Sequence, residues 1–180
     1  MPRVSIPFRF ALCLAAALAL SSCGPESESP PPAVPSPPQP SLSLSDREKL
    51  AAHFHVDPAE AAGFVSTYRM SHGLSAVVPD PTLQKLAQEQ ANAMAQKNIL
   101  SHEIIGTLKA RYDAVDLSRT TAVENVSAGY FSLADALRGW RESPAHNANL
   151  LKPGMRKFGI ATAYAPGTRF LLYWAVDMSN

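Results

Sequence analysis

The chain has 180 residues, and its 16 Lys and Arg residues nearly balance its 15 Asp and Glu residues, for a formal charge of +1 at pH 7. Without a basic excess, the composition gives no support for a nucleic-acid partner. Eight of the 16 prolines fall within residues 25–40, which excludes a single globule running from end to end and predicts one domain preceded by segments outside it.

Residues 1–22 have the layout of a secretory signal. Arg3 and Arg9 precede an uncharged apolar run of eleven residues, 10–20, whereas a membrane span would need about 20. The run ends in LSSC at 20–23, which resembles the bacterial lipobox, whose cysteine is lipidated and becomes the first residue of the mature chain. The alternative is an ordinary secreted protein in which Cys23 is unmodified.

The lipobox resemblance implies several acyl chains on Cys23, and therefore stable anchoring to a membrane. Gly24 in place of Asp implies sorting to the outer membrane if the cell is Gram-negative. Residues 23–44 then form the lipidated cysteine and a Pro/Ser-rich linker that buries too little apolar surface to fold. Once the signal is removed, Cys23 is the only cysteine, so no intramolecular disulfide is expected.

The folded part is expected over residues 45–180, and its first half predicts three helices. Ser45 and Glu48 form a capping box for a helix over 46–54. Asp57-Pro58 opens a second helix that ends near Gly73. Asp80-Pro81 opens a third helix. The apolar side of the second helix is predicted to carry Phe64, Val65, Tyr68 and Met70, and that of the third Leu83, Leu86, Ala87, Ala91 and Met94.

The second half predicts short helices followed by a hairpin. Helices are expected over 106–112, after Ser132 as N-cap, and for a turn or two from Ser143-Pro144. Residues 158–164 alternate as a strand, 165–168 suit a type II turn, and 170–176 complete an antiparallel hairpin. Helices first and a hairpin last indicate an α+β fold with helices packed on a sheet.

Several enzyme classes are excluded by inspection. No Walker loop or glycine-rich dinucleotide turn is present. Ser127 lacks the preceding glycine of a nucleophile elbow, and the HEIIG segment has Gly106 where a zinc protease needs its second histidine. The polar groups that remain lie at element edges: Ser101-His102, Glu124-Asn125, and Ser143 to His146 ahead of Asn149.

These residues resemble motifs of the CAP superfamily, the domain of cysteine-rich secretory proteins, venom antigens and plant pathogenesis-related proteins, in a bacterial form without disulfides. The resemblance covers residues 60–180. Five segments carry it in family order: 69–74 before the third helix, 98–102, 122–126, Trp140 with 143–151, and 173–177.

The resemblance implies a three-layer α-β-α sandwich with a groove of two histidines and two acids, which in some members binds a divalent metal. The matching residues are His102, Glu124 and His146, and the second acid has no counterpart. Two imidazoles and a carboxylate suit Zn²⁺ or another divalent cation. Ser101, Asn125, Ser143 and Asn149 are expected to support the groove. Alternatively, the three residues form a buried polar network that holds loops together.

The resulting expectation is a lipid-anchored, extracytoplasmic binding module of the bacterial cell envelope. It would be monomeric, held to the membrane through Cys23, and would bind a divalent metal, a lipid or another envelope ligand in the groove. A catalytic role is left open. The rival interpretations are a metal-assisted hydrolase that uses the same groove and a structural envelope protein.

Overall fold

The structure, a computed structural model, describes residues 42–180. The predicted signal peptide, lipidated Cys23 and linker up to residue 41 lie outside the described residues. Six helices are present in the described part: α1 (Leu44–His53), α2 (Pro58–Ser71), α3 (Pro81–Lys97), α4 (Leu108–Asp113), α5 (Leu133–Glu142) and α6 (Pro144–Leu150). Within residues 42–180, no helix combines the length and the apolar character that crossing a bilayer requires.

Four strands form one sheet in the order β1-β3-β4-β2. They are β1 (Val78–Pro79), β2 (Ala122–Ala128), β3 (Lys157–Tyr164) and β4 (Leu172–Ser179). The β1–β3 pair is parallel, and β3–β4 and β4–β2 are antiparallel. Every residue of β4 is buried, as expected for a central strand covered on both faces.

The sheet is the middle of three layers. On one face, the side chains of α1, α2, α5 and α6 pack on β3 and β4, with Trp140 and Trp174 in edge contact at the centre. On the other face, α3 packs its small side chains against Ala161 and Ala175. This arrangement is the α+β, three-layer α-β-α sandwich that the sequence predicted.

Local capping signals predicted most helix starts correctly. Asp57 and Asp80 accept hydrogen bonds from the first turns of α2 and α3, and Ser132 does so for α5. The predicted start of α1 at Ser45 was wrong, because the N-cap is Ser43, whose hydroxyl oxygen accepts from the amide of Asp46. A serine stands at both positions, so the short motif alone selected the wrong one.

The prediction for the buried face of α2 was partly wrong. Val65 is buried, but Phe64 and Met70 are 54% and 55% exposed. The face toward the core instead carries Ala61, Ala62, Ser66 and Arg69. The small side chains allow close packing, and the guanidinium of Arg69 fills the space at the C-terminal end of α2.

Strands β1 and β2 were not predicted. Glu124, Asn125 and Ser127 are polar yet buried in β2, which hides the strand from a hydropathy pattern.

Candidate functional site

Glu124 is the centre of the candidate site. It lies on β2 with only 4% of its surface exposed. Its Oε1 accepts a hydrogen bond from Nδ1 of His102 at 2.8 Å, and its Oε2 accepts from Nη2 of Arg111 at 2.6 Å. Arg111 lies on α4 and also donates to the carbonyl oxygen of His102 at 3.3 Å. We call these three residues the His102–Glu124–Arg111 cluster; it joins β2, α4 and the loop after α3.

The cluster presents the imidazole of His102 to solvent. The ring is anchored through Nδ1, yet 56% of the side chain is exposed. The hydrogen bond to Glu124 raises the pKa of His102 above its ordinary value, against the opposing effect of partial burial. Because Nδ1 is committed to the carboxylate, Nε2 is the ring nitrogen left for a ligand.

Hydrogen bonds of the neighbouring residue Ser101 hold the loop that carries His102. The carbonyl oxygen of Ser101 accepts from the buried amide of Gln90 on α3 at 2.7 Å. The hydroxyl oxygen of Ser101 accepts from the amide of Glu103 at 3.1 Å. Ser101 therefore holds the loop that carries His102, because both of its hydrogen bonds lie beside that residue.

His146 reaches the same region through α6. The side chain of Asn125 donates to the carbonyl oxygen of His146 at 3.1 Å. The amide of Asn149 donates to Asn125 Oδ1 and to the carbonyl oxygen of Glu124, both at 2.9 Å. Burial lowers the pKa of His146, and the nearby charge of His102 lowers it further. The two asparagines thus fasten α6 to β2 beside Glu124.

Ser143 contributes by its position but not by its side chain. It is the N-cap residue of α6, and its carbonyl oxygen accepts from the amide of Asn147 at 2.8 Å. The hydroxyl makes no capping hydrogen bond. Its predicted cap role is therefore carried by the backbone, with Pro144 supplying the fixed φ of the first helical residue.

The donor set does not fit a Zn²⁺ ion held by His102, Glu124 and His146. Both oxygens of Glu124 already accept hydrogen bonds, from an imidazole and from a guanidinium. Within residues 42–180, no group of three or more His, Cys, Asp or Glu side chains is arranged to hold a metal ion. A catalytic zinc normally has three protein ligands, and two imidazoles fall short of that number.

The sequence did not point to two residues at this site, Arg111 and Asp177. Asp177 lies on β4 directly opposite Glu124 in the register and is fully buried. Neither of its carboxyl oxygens has a hydrogen-bond partner among the described residues. Burial, reinforced by the charge of Glu124, raises the pKa of Asp177 well above its ordinary value. The available signal was an acid inside an otherwise apolar final strand.

The comparisons agree with this fold. The family model described as the cysteine-rich secretory protein family, CAP, matches residues 63–178. The chain belongs to the CAP family, as the five segments of the sequence indicated.

Among known proteins, YkwD of Bacillus subtilis, described as uncharacterized, is 28% identical over 94 residues. The match takes in 51% of this chain but only 37% of YkwD, so the chain spans well under half of that relative.

Two solved structures share the fold. An outer surface protein of Borrelia burgdorferi is 21% identical, with a TM-score of 0.60 over 71% of this chain and 97% of the other. An extracellular protein containing an SCP domain from Bacillus anthracis is 20% identical, with a TM-score of 0.59 over 78% of this chain and 44% of the other.

Proposed function

We propose that this protein is a lipid-anchored, extracytoplasmic binding module of a bacterial envelope, which contacts its ligand through His102 and His146. The observation that carries the binding role is the anchored imidazole of His102, held by a buried carboxylate yet 56% exposed. The lipobox-like segment at 20–23 supports the anchor. The outer-surface and extracellular descriptions of two proteins that share the fold support the location.

The two histidines differ in protonation, which defines the ligand chemistry. The pKa of His102 is raised and that of His146 is lowered. Near neutral pH, His102 is therefore the better cationic donor and His146 the neutral acceptor. Such a pair suits an acidic group that still carries one proton in part near neutral pH, and we infer that the ligand presents a phosphate monoester.

No specific observation favours the metal-assisted hydrolase. That mechanism needs Glu124 as a third metal ligand or as a free base. Both carboxylate oxygens of Glu124 already accept hydrogen bonds, from His102 and from Arg111. The polar network does join β2 to α4 and α6, as the structural alternative requires. A purely structural network, however, gains nothing from holding an imidazole half in solvent.

The test is titration of the full-length protein with glycerol 3-phosphate in the presence of EDTA, followed by the ring signals of the histidines in NMR. Saturable shifts are expected for His102 and His146, and His102→Ala should abolish binding. Glycerol serves as the uncharged control ligand. His55→Ala, at an exposed histidine away from these residues, is the matched control variant and should bind as the wild type does.

Two results would contradict the proposal. One is the absence of any saturable shift with glycerol 3-phosphate. The other is a His102→Ala variant that is less stable but binds unchanged, which would assign His102 to the structural network alone.

A further inference from the structure

A second concave site lies away from the histidines. A cavity of about 600 Å³ is bounded by the C-terminal part of α3, the end of β3 and the following turn. It takes in none of the residues of the His102–Glu124–Arg111 cluster, nor His146. Its volume is within the range of small-molecule sites. The polar side chains that line it are Asn92, Gln96, Asn98, Thr162, Tyr164 and Thr168.

Two asparagine side chains of the lining are oriented by internal hydrogen bonds. Oδ1 of Asn98 accepts from the hydroxyl of Tyr173 at 2.7 Å. Oδ1 of Asn92 accepts from Nε2 of Gln88 at 2.9 Å, and the same Nε2 donates to the carbonyl oxygen of Thr162 at 3.1 Å. Each asparagine therefore has its acceptor engaged, and its NH₂ group remains available to donate to a ligand.

Asn98 is also held by its backbone. It is the C-cap of α3 in the left-handed conformation, with φ of 51°. Its backbone N–H donates to the carbonyl oxygens of Ala95 and Met94. Because backbone and side chain are both fixed, a ligand that hydrogen-bonds Asn98 orders little additional structure.

The side chains that line the cavity are suited to binding the hydroxyl groups of an uncharged ligand. No charged side chain is among the residues around this cavity. Among residues 42–180, the amide of Gln96 and the hydroxyl of Tyr164 make no hydrogen bonds, so both can donate or accept. Ala95 and Ala163 leave room at the wall, and the ring of Tyr164 offers an apolar face.

We propose that this cavity binds a neutral oligosaccharide. Sugar hydroxyls donate and accept at once, which matches amides and hydroxyls that present both roles. The absence of charge in the lining disfavours ionic ligands, since a desolvated ion would have no counter-charge there. An acyl chain would in turn leave the polar side chains of the lining without hydrogen-bond partners.

The experiment is calorimetric titration of the full-length protein with two uncharged sugars, maltotriose and triacetylchitotriose, beside the anionic trigalacturonate. Saturable binding of at least one neutral trisaccharide is expected, with negligible binding of the anionic one. Gln96→Ala should weaken that binding about tenfold, the effect of losing about 1.4 kcal/mol of hydrogen bonding. Tyr164→Phe, which removes only the hydroxyl, should weaken it in the same direction.

Glu89→Ala is the matched control, because Glu89 is exposed on the same helix and does not line the cavity. This variant and His102→Ala should bind the trisaccharide as the wild type does. The proposal is overturned if neither neutral trisaccharide binds saturably, if Gln96→Ala and Tyr164→Phe bind unchanged, or if trigalacturonate binds as well as the neutral sugars.

Discussion

Two buried acids, Glu124 and Asp177, lie opposite each other on β2 and β4. They differ in their hydrogen-bond partners, and this difference gives them different roles. Glu124 has a cationic or protonatable partner on each oxygen, whereas Asp177 has no hydrogen-bond partner among the described residues. A buried carboxylate without a partner is costly, so the carboxyl of Asp177 keeps its proton to higher pH. Glu124 is therefore the acid that orients His102, whereas burial favours the protonated form of Asp177.

The hydrogen bond between Glu124 and His102 predicts a shift in the titration of His102. The pKa of His102 is raised in the folded protein, so its stabilising contribution is present below the unfolded pKa of about 6.5 and is lost as pH rises through the folded value. Glu124→Gln removes the negative charge and should lower the pKa of His102, as measured by NMR titration. An unchanged His102 titration curve in Glu124→Gln would refute the assignment.

Asp177 predicts a second pH dependence of stability, which arises from burial without a hydrogen-bond partner among the described residues. Its folded pKa is raised above the unfolded value of about 3.9, so the unfolded chain loses its proton first and stability falls as pH rises above that value. Asp177→Asn keeps the shape without titrating. It should be more stable than the wild type at neutral pH and should flatten the decline, as measured by urea unfolding from about pH 4 to 8. Parallel curves for the two proteins would argue against a raised pKa of Asp177.

At the scale of elements, Arg69 connects α2 to the end of α6. Its guanidinium is fully buried and donates to the carbonyl oxygens of Ser75, Leu150, Lys152 and Met155. Burial lowers the pKa of Arg69, and the neighbouring charge of Arg156 lowers it further. These bonds close the C-terminal end of the helix that carries His146, so Arg69 positions the site from a distance.

Loss of Arg69 should therefore be strongly destabilising. Arg69→Met leaves four carbonyl groups without their donor and should lower the free energy of unfolding by about 3 to 5 kcal/mol. Urea unfolding measures the change. Arg119→Met, at an exposed arginine, is the control and should stay within about 0.5 kcal/mol of the wild type. Equal stability of the two variants would contradict the role of Arg69.

The contact between α3 and β3 depends on Gly159. A Cβ at this position would collide with the backbone of Leu83 and Gln84, so helix and strand would have to separate. The side-chain amide of Gln84 also donates to the carbonyl oxygen of Ile160 and accepts from its backbone N–H. It therefore covers the edge of β3 beyond the point where β1 ends. The close approach thus places α3 where it protects a sheet edge.

Gly159→Ala should lower the free energy of unfolding by about 1 to 3 kcal/mol, because the clash is with backbone that cannot rotate away. Gly63→Ala is the matched control: nothing lies within 4 Å of a Cβ there, and alanine favours a helix interior. That variant should be up to about 1 kcal/mol more stable than the wild type. Thermal unfolding of both variants distinguishes them, and a neutral Gly159→Ala would contradict the close contact.

For the whole molecule, the central expectation is a folded domain held to a membrane by lipid at Cys23. Two or more acyl chains anchor a protein stably, whereas a single chain binds only marginally. Cys23→Ala should therefore move the protein from the membrane fraction to the soluble fraction without changing its melting temperature. Cys13→Ala, within the predicted signal, is the control and should fractionate as the wild type does. Retention of the Cys23→Ala protein in membranes would contradict the anchor.

Features decided by neighbours in the chain were predicted well. The N-caps at Asp57, Asp80 and Ser132 act over two or three residues, so the local sequence contains all of their partners. The apolar stripe of α3 and the positive φ of Gly167 in the turn before β4 are equally local. The family motifs likewise lie in short local segments, and the family that they indicated is the one that the family model matches.

Features decided by distant contacts were not predictable in this way. Glu124 meets His102 across 22 positions and Arg111 across 13, and Asp177 comes opposite it only through the register of β2 on β4. By itself, the sequence determined the family and the starts of α2, α3 and α5. Only the tertiary structure decided that the partners of Glu124 are an imidazole and a guanidinium, because the contacts of a buried side chain are set by packing.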